Sequence, residues 1–278
     1  MSDNSPAKAK VNWERMFPDE FVALRDACPV VYAAYGLAEP HGPYNALGLD
    51  FLKAQSLLER AATEHGGIVS PPFAWHITEL PFHTGSGGWF DKTGIKQPLT
   101  SSISRDVFYQ VMLSQIRAFD ARGFHAAILV TGHYGGVERT MRMVCEFYTE
   151  VTNSPMQLYA CADWELINLP GIGGDHAGVT ETSQLMALHE DLVDLSRLSV
   201  PEELGDQYAG RTFPAGEQQL TPNCEHGLKI INSQVDTLGK KSKEMLKTYQ
   251  PRKGHIAPSV PDVEDLWKQL LPRFTTHY

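Results

Sequence analysis

Six consecutive residues, Ala126-Ala-Ile-Leu-Val-Thr131, carry no charged side chain and no alternation of polar with apolar positions. A strand with one wet face alternates, so a run that does not is stable only where both of its faces are covered. Covering both faces takes helices above and below, which predicts a central parallel strand in an α/β protein. Pro29-Val-Val-Tyr-Ala-Ala-Tyr35 and Met156-Gln-Leu-Tyr-Ala-Cys-Ala162 read as further strands, and Ile68-Val-Ser-Pro-Pro-Phe73 begins as one. Apolar residues recur at helical spacing from Asp50 to a stop at His65-Gly66-Gly67, from Ser104 to Arg122, from Val137 to Glu150 and from Thr182 to Leu188. Strands alternating with helices predict right-handed βαβ units, with active residues on loops at the carboxyl ends of the strands.

Other segments do not follow this rhythm. Residues 1–12 are polar and rich in Pro, Ala and Lys, which predicts a flexible terminus preceding one domain over 13–278. The Gly-, Ser- and Thr-rich stretch through Ser102 is a long irregular segment, a feature that is uncommon unless it has a task. Residues 200–262 read as an irregular layer or lid with one helix over Ser233 to Thr248, and Val263 to Arg273 as a terminal helix.

Composition narrows the function classes. The net charge of −9 is spread along the chain with no Lys/Arg cluster, which excludes nucleic acid as the expected partner. No run of about eighteen apolar residues is present and the start lacks a secretory apolar stretch, so the expectation is a cytoplasmic protein without a membrane partner. Cys28, Cys145, Cys161 and Cys224 are far apart with no C-x-x-C pair, which argues against a disulfide framework or a thiolate zinc site.

Three clusters carry chemistry. Glu39-Pro-His41-Gly, followed by Asp50, places two carboxylates and an imidazole after the first strand, a ligand set for zinc, manganese or iron(II). In an extended segment Glu39 and His41 share a face, and Asp50 at a helix start can return to the same place. Thr131-Gly-His133-Tyr134-Gly-Gly136 drops a histidine at the end of the most apolar strand, and Gly174-Asp175-His176-Ala-Gly-Val-Thr-Glu181-Thr-Ser183 adds two carboxylates and an imidazole at another helix start. Each also has a structural reading: Asp50 as a cap, His41-Gly42 as a turn, His133 as a satisfied core residue, the third cluster as a capped helix start.

Together, the clusters resemble the creatininase, or creatinine amidohydrolase, family over roughly residues 29 to 195. That family has an apolar strand, Glu-x-His-Gly and an Asp about nine residues on, as at Glu39, His41 and Asp50; its Asn-Gly-His corresponds to Thr131-Gly132-His133, and its His-[AG]-Gly-x-x-Glu-Thr-Ser to His176 through Ser183. The resemblance implies a three-layer α/β/α sandwich with a central, mostly parallel sheet, two divalent ions (zinc, manganese or iron) and a homo-oligomer, often a hexamer. Carried over, it implies Glu39 and His133 on one ion, His41 on the other and Asp50 bridging. Creatininase has a Glu two positions after the motif histidine where this chain has Gly135, so Glu181 is the candidate for the remaining ligand. Asp175 and His176 match an acid and histidine pair credited with catalysis, with Asp in place of the longer Glu. Trp164 matches a family tryptophan, and Tyr134, His83 and Trp89 join it as candidate substrate contacts.

The implied reaction is attack of a metal-activated water on a carbonyl of a small cyclic substrate, with ring opening of an amide. Creatinine itself is disfavoured, because Gly171-Ile-Gly-Gly174 stands where a family tryptophan closes over it. The alternative is carbon–carbon hydrolysis of a cyclic diketone such as 3-dehydro-scyllo-inosose. A third reading is a non-catalytic, metal-stabilised binding protein.

Overall fold

The computed structural model describes residues 10–42, 44–77, 100–199 and 221–274. Among the described residues four parallel strands form the sheet: β1 (Val30–Tyr35), β2 (Ile68–Val69), β3 (Ala126–Thr131) and β4 (Gln157–Ala162), in the order β2-β1-β3-β4. The apolar run is β3, paired in register with β1 from Val30↔Ala126 to Tyr35↔Thr131 and with β4 from Ala126↔Gln157 to Thr131↔Ala162. All of its residues are buried, as a strand covered on both faces must be.

Helices are α1 (Pro18–Ala27), α2 (Leu49–His65), α3 (Arg105–Asp120), α4 (Val137–Thr152), α5 (Val179–Leu188), α6 (Cys224–Thr248) and α7 (Asp262–Phe274). Alternate strand residues feed two cores. Val31, Ala33, Tyr35, Ala127 and Leu129 pack against α3, α4 and α7 through Phe108, Met112, Met141, Val144 and Leu270. Val30, Tyr32, Ala34, Ile128 and Val130 pack on the opposite face against α2 and α6 through Leu57, Leu58, Val235 and Leu238. The result is a three-layer α/β/α arrangement. No helix among the described residues is long and apolar enough to cross a membrane.

Several boundaries differ from the sequence reading. Helix α1 was not anticipated; Pro18 opens it and Glu20 accepts a hydrogen bond from the Phe17 N–H at 2.7 Å. Helix α6 starts at Cys224, not Ser233, because Asn223 Oδ1 accepts from the His226 N–H at 2.8 Å and caps it. Gly227, which reads as a loop residue, is a packing requirement: a Cβ there would stand 1.8 Å from the Ser183 carbonyl oxygen of α5. Helix α5 begins three residues before Thr182, which puts Glu181 in its first turn.

Candidate metal centre

In the order β2-β1-β3-β4 the chain leaves β1 toward one edge of the sheet and β3 toward the other. Helix α2 follows β1 onto one face and α4 follows β3 onto the opposite face. The gap between the two departing connections is a topological switch point, where α/β sheets place their sites. Two glycines let α2 enter that gap. A Cβ on Gly36, just after β1, would lie 2.6 Å from the Phe51 backbone nitrogen, and one on Gly132, just after β3, 2.0 Å from the Asp50 carbonyl oxygen. The first turn of α2 is therefore pressed between the two strand ends, and Asp50 is buried there.

The loop from Gly36 to Gly48 is tied on several sides. Its Glu39 N–H donates to Leu47 O at 2.9 Å, the Asn45 amide donates to His41 O and to Thr182 Oγ1 at 3.0 Å each, and Tyr44 Oη donates to Ala177 O at 2.7 Å. Within it, His41 Nδ1 stands 3.0 Å from the Glu39 carbonyl oxygen, which can only accept, so Nδ1 carries the proton. The other nitrogen, Nε2, faces Asp50 Oδ1 at 3.0 Å, Glu181 Oε2 at 3.8 Å and Glu39 Oε1 at 4.0 Å. From β3, His133 Nδ1 lies 2.9 Å from Glu39 Oε1 and 3.3 Å from Asp50 Oδ2.

Donor atoms of Glu39, Asp50 and His133 lie within 4.8 Å of one another, as do those of His41, Asp50 and Glu181 and those of Glu39, His41 and His176. Asp50 belongs to the first two sets, one oxygen toward each histidine. Ligand bonds of about 2.0 to 2.2 Å put two ligands of one tetrahedral ion about 3.3 to 3.6 Å apart, within the range of these separations. His41 Nε2 and Asp50 Oδ2 are buried and make no aligned hydrogen bond despite these short approaches. Orphaned polar atoms of this kind cost about 1–3 kcal/mol each, and a cation between them satisfies both. The residues fit a divalent metal.

Electrostatics agree with that fit. Burial pushes the His41 and His133 pKa values down, but the surrounding carboxylates outweigh it and hold them at about 9 and about 10. Burial raises Asp50, and the two histidines outweigh it in turn, bringing it to about 2. Without metal, protons held on the His41 and His133 imidazoles balance the negative charge of Asp50. His76, packed 5.2 Å from the His133 ring, is held near 3 by burial and by the charge of His133, so it stays neutral. Its Nδ1 faces Ile77 O at 2.9 Å and its Nε2 faces Thr131 Oγ1 at 3.3 Å.

The third cluster closes the site from α5. Asp175 Oδ2 accepts from the Thr180 N–H at 2.8 Å and Oδ1 from the Glu181 N–H at 3.1 Å, so this carboxylate caps the helix that carries Glu181. Gly178 has no room for a side chain, since its Cβ would stand 2.4 Å from Asp175 Oδ2. Ala177 takes a φ of 53°, unusual for a residue with a Cβ, and is held by its N–H to Glu181 Oε2 at 2.7 Å and by Tyr44 on its carbonyl. That turn sets the His176 ring 4.4 Å from the His41 ring. Burial, then the charge of His41, lowers the His176 pKa, while burial and Glu181 raise that of Asp175.

Tyr134 Oη donates to Asp175 O at 2.9 Å, and Trp164, exposed, packs against Gly174, where a Cβ would come within 2.8 Å of its ring. His83 and Trp89 lie outside the described residues. The residue that sequence reasoning missed is Lys53, fully buried, with Nζ 2.5 Å from Glu181 Oε1 and 3.3 Å from Asp163 Oδ2. A signal existed: Lys53 is three residues after Asp50 in a helix, hence on its face, and next to the buried Ala54 and Leu57 stripe.

Comparison with known proteins bears on the family and the fold. Creatinine amidohydrolase of Pseudomonas putida is 24% identical over 184 residues, 61% of this chain and 68% of that protein. A mycofactocin precursor peptide peptidase of Mycobacterium ulcerans is 27% identical over 217 residues, 78% of this chain and 76% of that protein. Among solved structures, a manganese creatininase superposes with a TM-score of 0.63 at 20% identity, covering 87% of this chain and 100% of its own. The family model described as creatinine amidohydrolase matches residues 14–238, most of the chain. With the strand order and the three motif segments meeting at one switch point, that match means that the chain belongs to the creatininase family of metal-dependent hydrolases.

Proposed function

We propose that this protein is a dinuclear amidohydrolase that opens the ring amide of a small cyclic substrate in the cytoplasm, acting as a homo-oligomer with residues 13–278 as one catalytic domain.

 The observation that carries the reading is the sharing of Asp50 between two donor sets, Glu39/Asp50/His133 and His41/Asp50/Glu181. The first set would hold one divalent ion, zinc, manganese or iron, and the second set the other. Bound ions of this kind lower the pKa of water toward neutrality and polarise a carbonyl oxygen. The names of both curated relatives, an amidohydrolase and a peptidase, favour an amide as the bond broken.

The chain's own residues supply the rest. His176 presents a ring nitrogen within 4.8 Å of donor atoms of Glu39 and His41, and its lowered pKa leaves it neutral, able to take up a proton and pass it to the departing nitrogen. Asp175 positions His176 by capping α5, and Tyr134 holds the same turn through Asp175 O. Trp164, against Gly174, offers an aromatic wall beside that turn for substrate, and His83 and Trp89 are proposed as further contacts.

The test is metal analysis of the purified protein, followed by assay of the zinc- or manganese-loaded form against cyclic amides, formamides, lactones and keto-inositols. Release of ammonia, amine or formate, lost in His176→Ala with metal content retained, is the expected result. A new carboxylate formed without nitrogen release would replace the amide reading with diketone hydrolysis. Full function in His176→Ala would favour a binding protein. Light scattering on the eluting protein reports the oligomer, for which a hexamer is expected.

A further inference from the structure

Residues 249–261, which join α6 to α7, take no part in the centre described above. They lie at the amino ends of the strands, whereas the ligands gather at the carboxyl ends. Tyr249 stacks on His125, just before β3, with ring centroids 3.9 Å apart, and Arg252 donates to the Asn153 carbonyl oxygen at the end of α4. Further along, His255 Nε2 stands 3.0 Å from each oxygen of Asp120, the last residue of α3, and Arg117 Nε donates to Pro258 O at 2.7 Å. Asp120 is buried and accepts from Tyr148 Oη at 2.8 Å. The segment is thus pinned along its length.

Its polarity is inverted. His255 turns inward to Asp120, while its neighbour Ile256 is 87% exposed, the highest value for a large apolar side chain among the described residues, and Val260 is 67% exposed. A free loop can fold such side chains onto the surface beneath it; one held at His255 and Pro258 cannot. Single exposed apolar residues are ordinary, but the flanks of these two are not. Arg252 and Lys253 precede them, and Asp262, Glu264 and Asp265 follow, all exposed. The order along the chain is basic, apolar, acidic, and that order is self-complementary. Two copies running antiparallel about a two-fold axis at Pro258 set Ile256 against the partner's Val260 and Arg252 against the partner's Glu264, with the reciprocal contacts identical. An apolar centre within a charged rim is the anatomy of a protein interface. Any second copy carries the matching order by necessity, whereas an unrelated partner would have to supply it independently.

We propose that residues 252–265 form a two-fold contact between copies of this chain, with Ile256 and Val260 at its centre and the charged residues on either side at its rim. This rests on the homo-oligomer reading above and names a surface that builds the oligomer, at the end of the sheet opposite the metal centre.

The experiment is sedimentation equilibrium of the full-length protein over a range of concentrations, with circular dichroism of every variant as a control on folding. Wild type should contain an even number of copies. Ile256→Asp/Val260→Asp, which crowds carboxylates around the axis, should reduce the mass to about half or less, the step that breaking a two-fold contact gives. Lys253→Glu, facing the partner's acidic rim, should raise the dissociation constant by about tenfold or more, and adding Glu264→Lys in the same chain should restore it, because each copy then offers the reversed charges. The charge variants leave the apolar centre untouched, so they test the contact even if the double Asp variant misfolds. An oligomer unmoved by all of these changes, one with an odd number of copies, or a Lys253→Glu defect that Glu264→Lys deepens would overturn this contact while the homo-oligomer reading stands. A wild type that stays monomeric at every concentration would instead overturn the homo-oligomer reading, and the inference with it.

Discussion

His41 and His133 bind protons more tightly in the folded chain, at about 9 and about 10, than at the ordinary 6.5. A group raised in this way contributes its full stability below about 6.5 and loses it as pH rises through the folded value. Asp50 runs the other way: with its pKa near 2 against an ordinary 3.8, it contributes above 3.8 and loses that contribution as pH falls through about 2. The metal-stripped protein should therefore be most stable between these limits and lose stability as pH climbs toward 10. In the metal-loaded protein the imidazoles are already deprotonated, so the alkaline decline should vanish and metal uptake at neutral pH should release protons. Thermal unfolding of both forms across pH 5 to 10, in about unit steps, checks this; identical profiles would contradict it. At this scale Glu39, His41, Asp50 and His133 stood out in the sequence because each lies at a strand end or helix start. Lys53 did not, since its partner Glu181 is 128 residues away and helical phase alone says only that the side chain is inward.

Helix α2 is the element on which the site turns, because it carries both Asp50 and Lys53 and fits between two strands only where glycines stand. Gly132→Ala would place a methyl group 2.0 Å from the Asp50 carbonyl oxygen and force α2 outward. The expected cost is about 1–3 kcal/mol of stability, the range for inserting atoms into a packed interior, with a larger loss of metal affinity because Asp50 moves. Denaturant unfolding and metal content of the variant, compared with the exposed control Gly173→Ala, where a Cβ meets open space, measure both. Unchanged metal content would show that α2 has room to spare. The early start of α6 and the whole of α1 escaped the sequence reading for a related reason. Gly227 looks like a helix breaker in isolation, and its purpose, contact with Ser183 of α5, exists only after folding.

For the molecule as a whole, the centre is a joint between segments from far apart in the chain, and a bound ion stabilises whatever holds its ligands together. Chelation should lower the melting temperature and zinc or manganese should restore it, with about 2.7 kcal/mol gained at a hundredfold excess over the dissociation constant. Calorimetry with and without chelator tests this, and a melting temperature indifferent to metal would argue against the centre. The two cores, one on each face of the sheet, were readable in advance: an unbroken apolar strand must be covered twice, and helical spacing shows which residues do the covering. The sequence by itself determined the strands, most of the helices and three short ligand-bearing segments, because each depends on neighbours within a few residues. Only the tertiary structure decided that Asp50 stands between two histidines, that Asp175 caps the helix bearing Glu181 and that Lys53 grips Glu181 from behind. Those pairings follow from the order in which strands lie side by side, and strand order is set by packing across the whole sheet, which leaves no local mark on the chain.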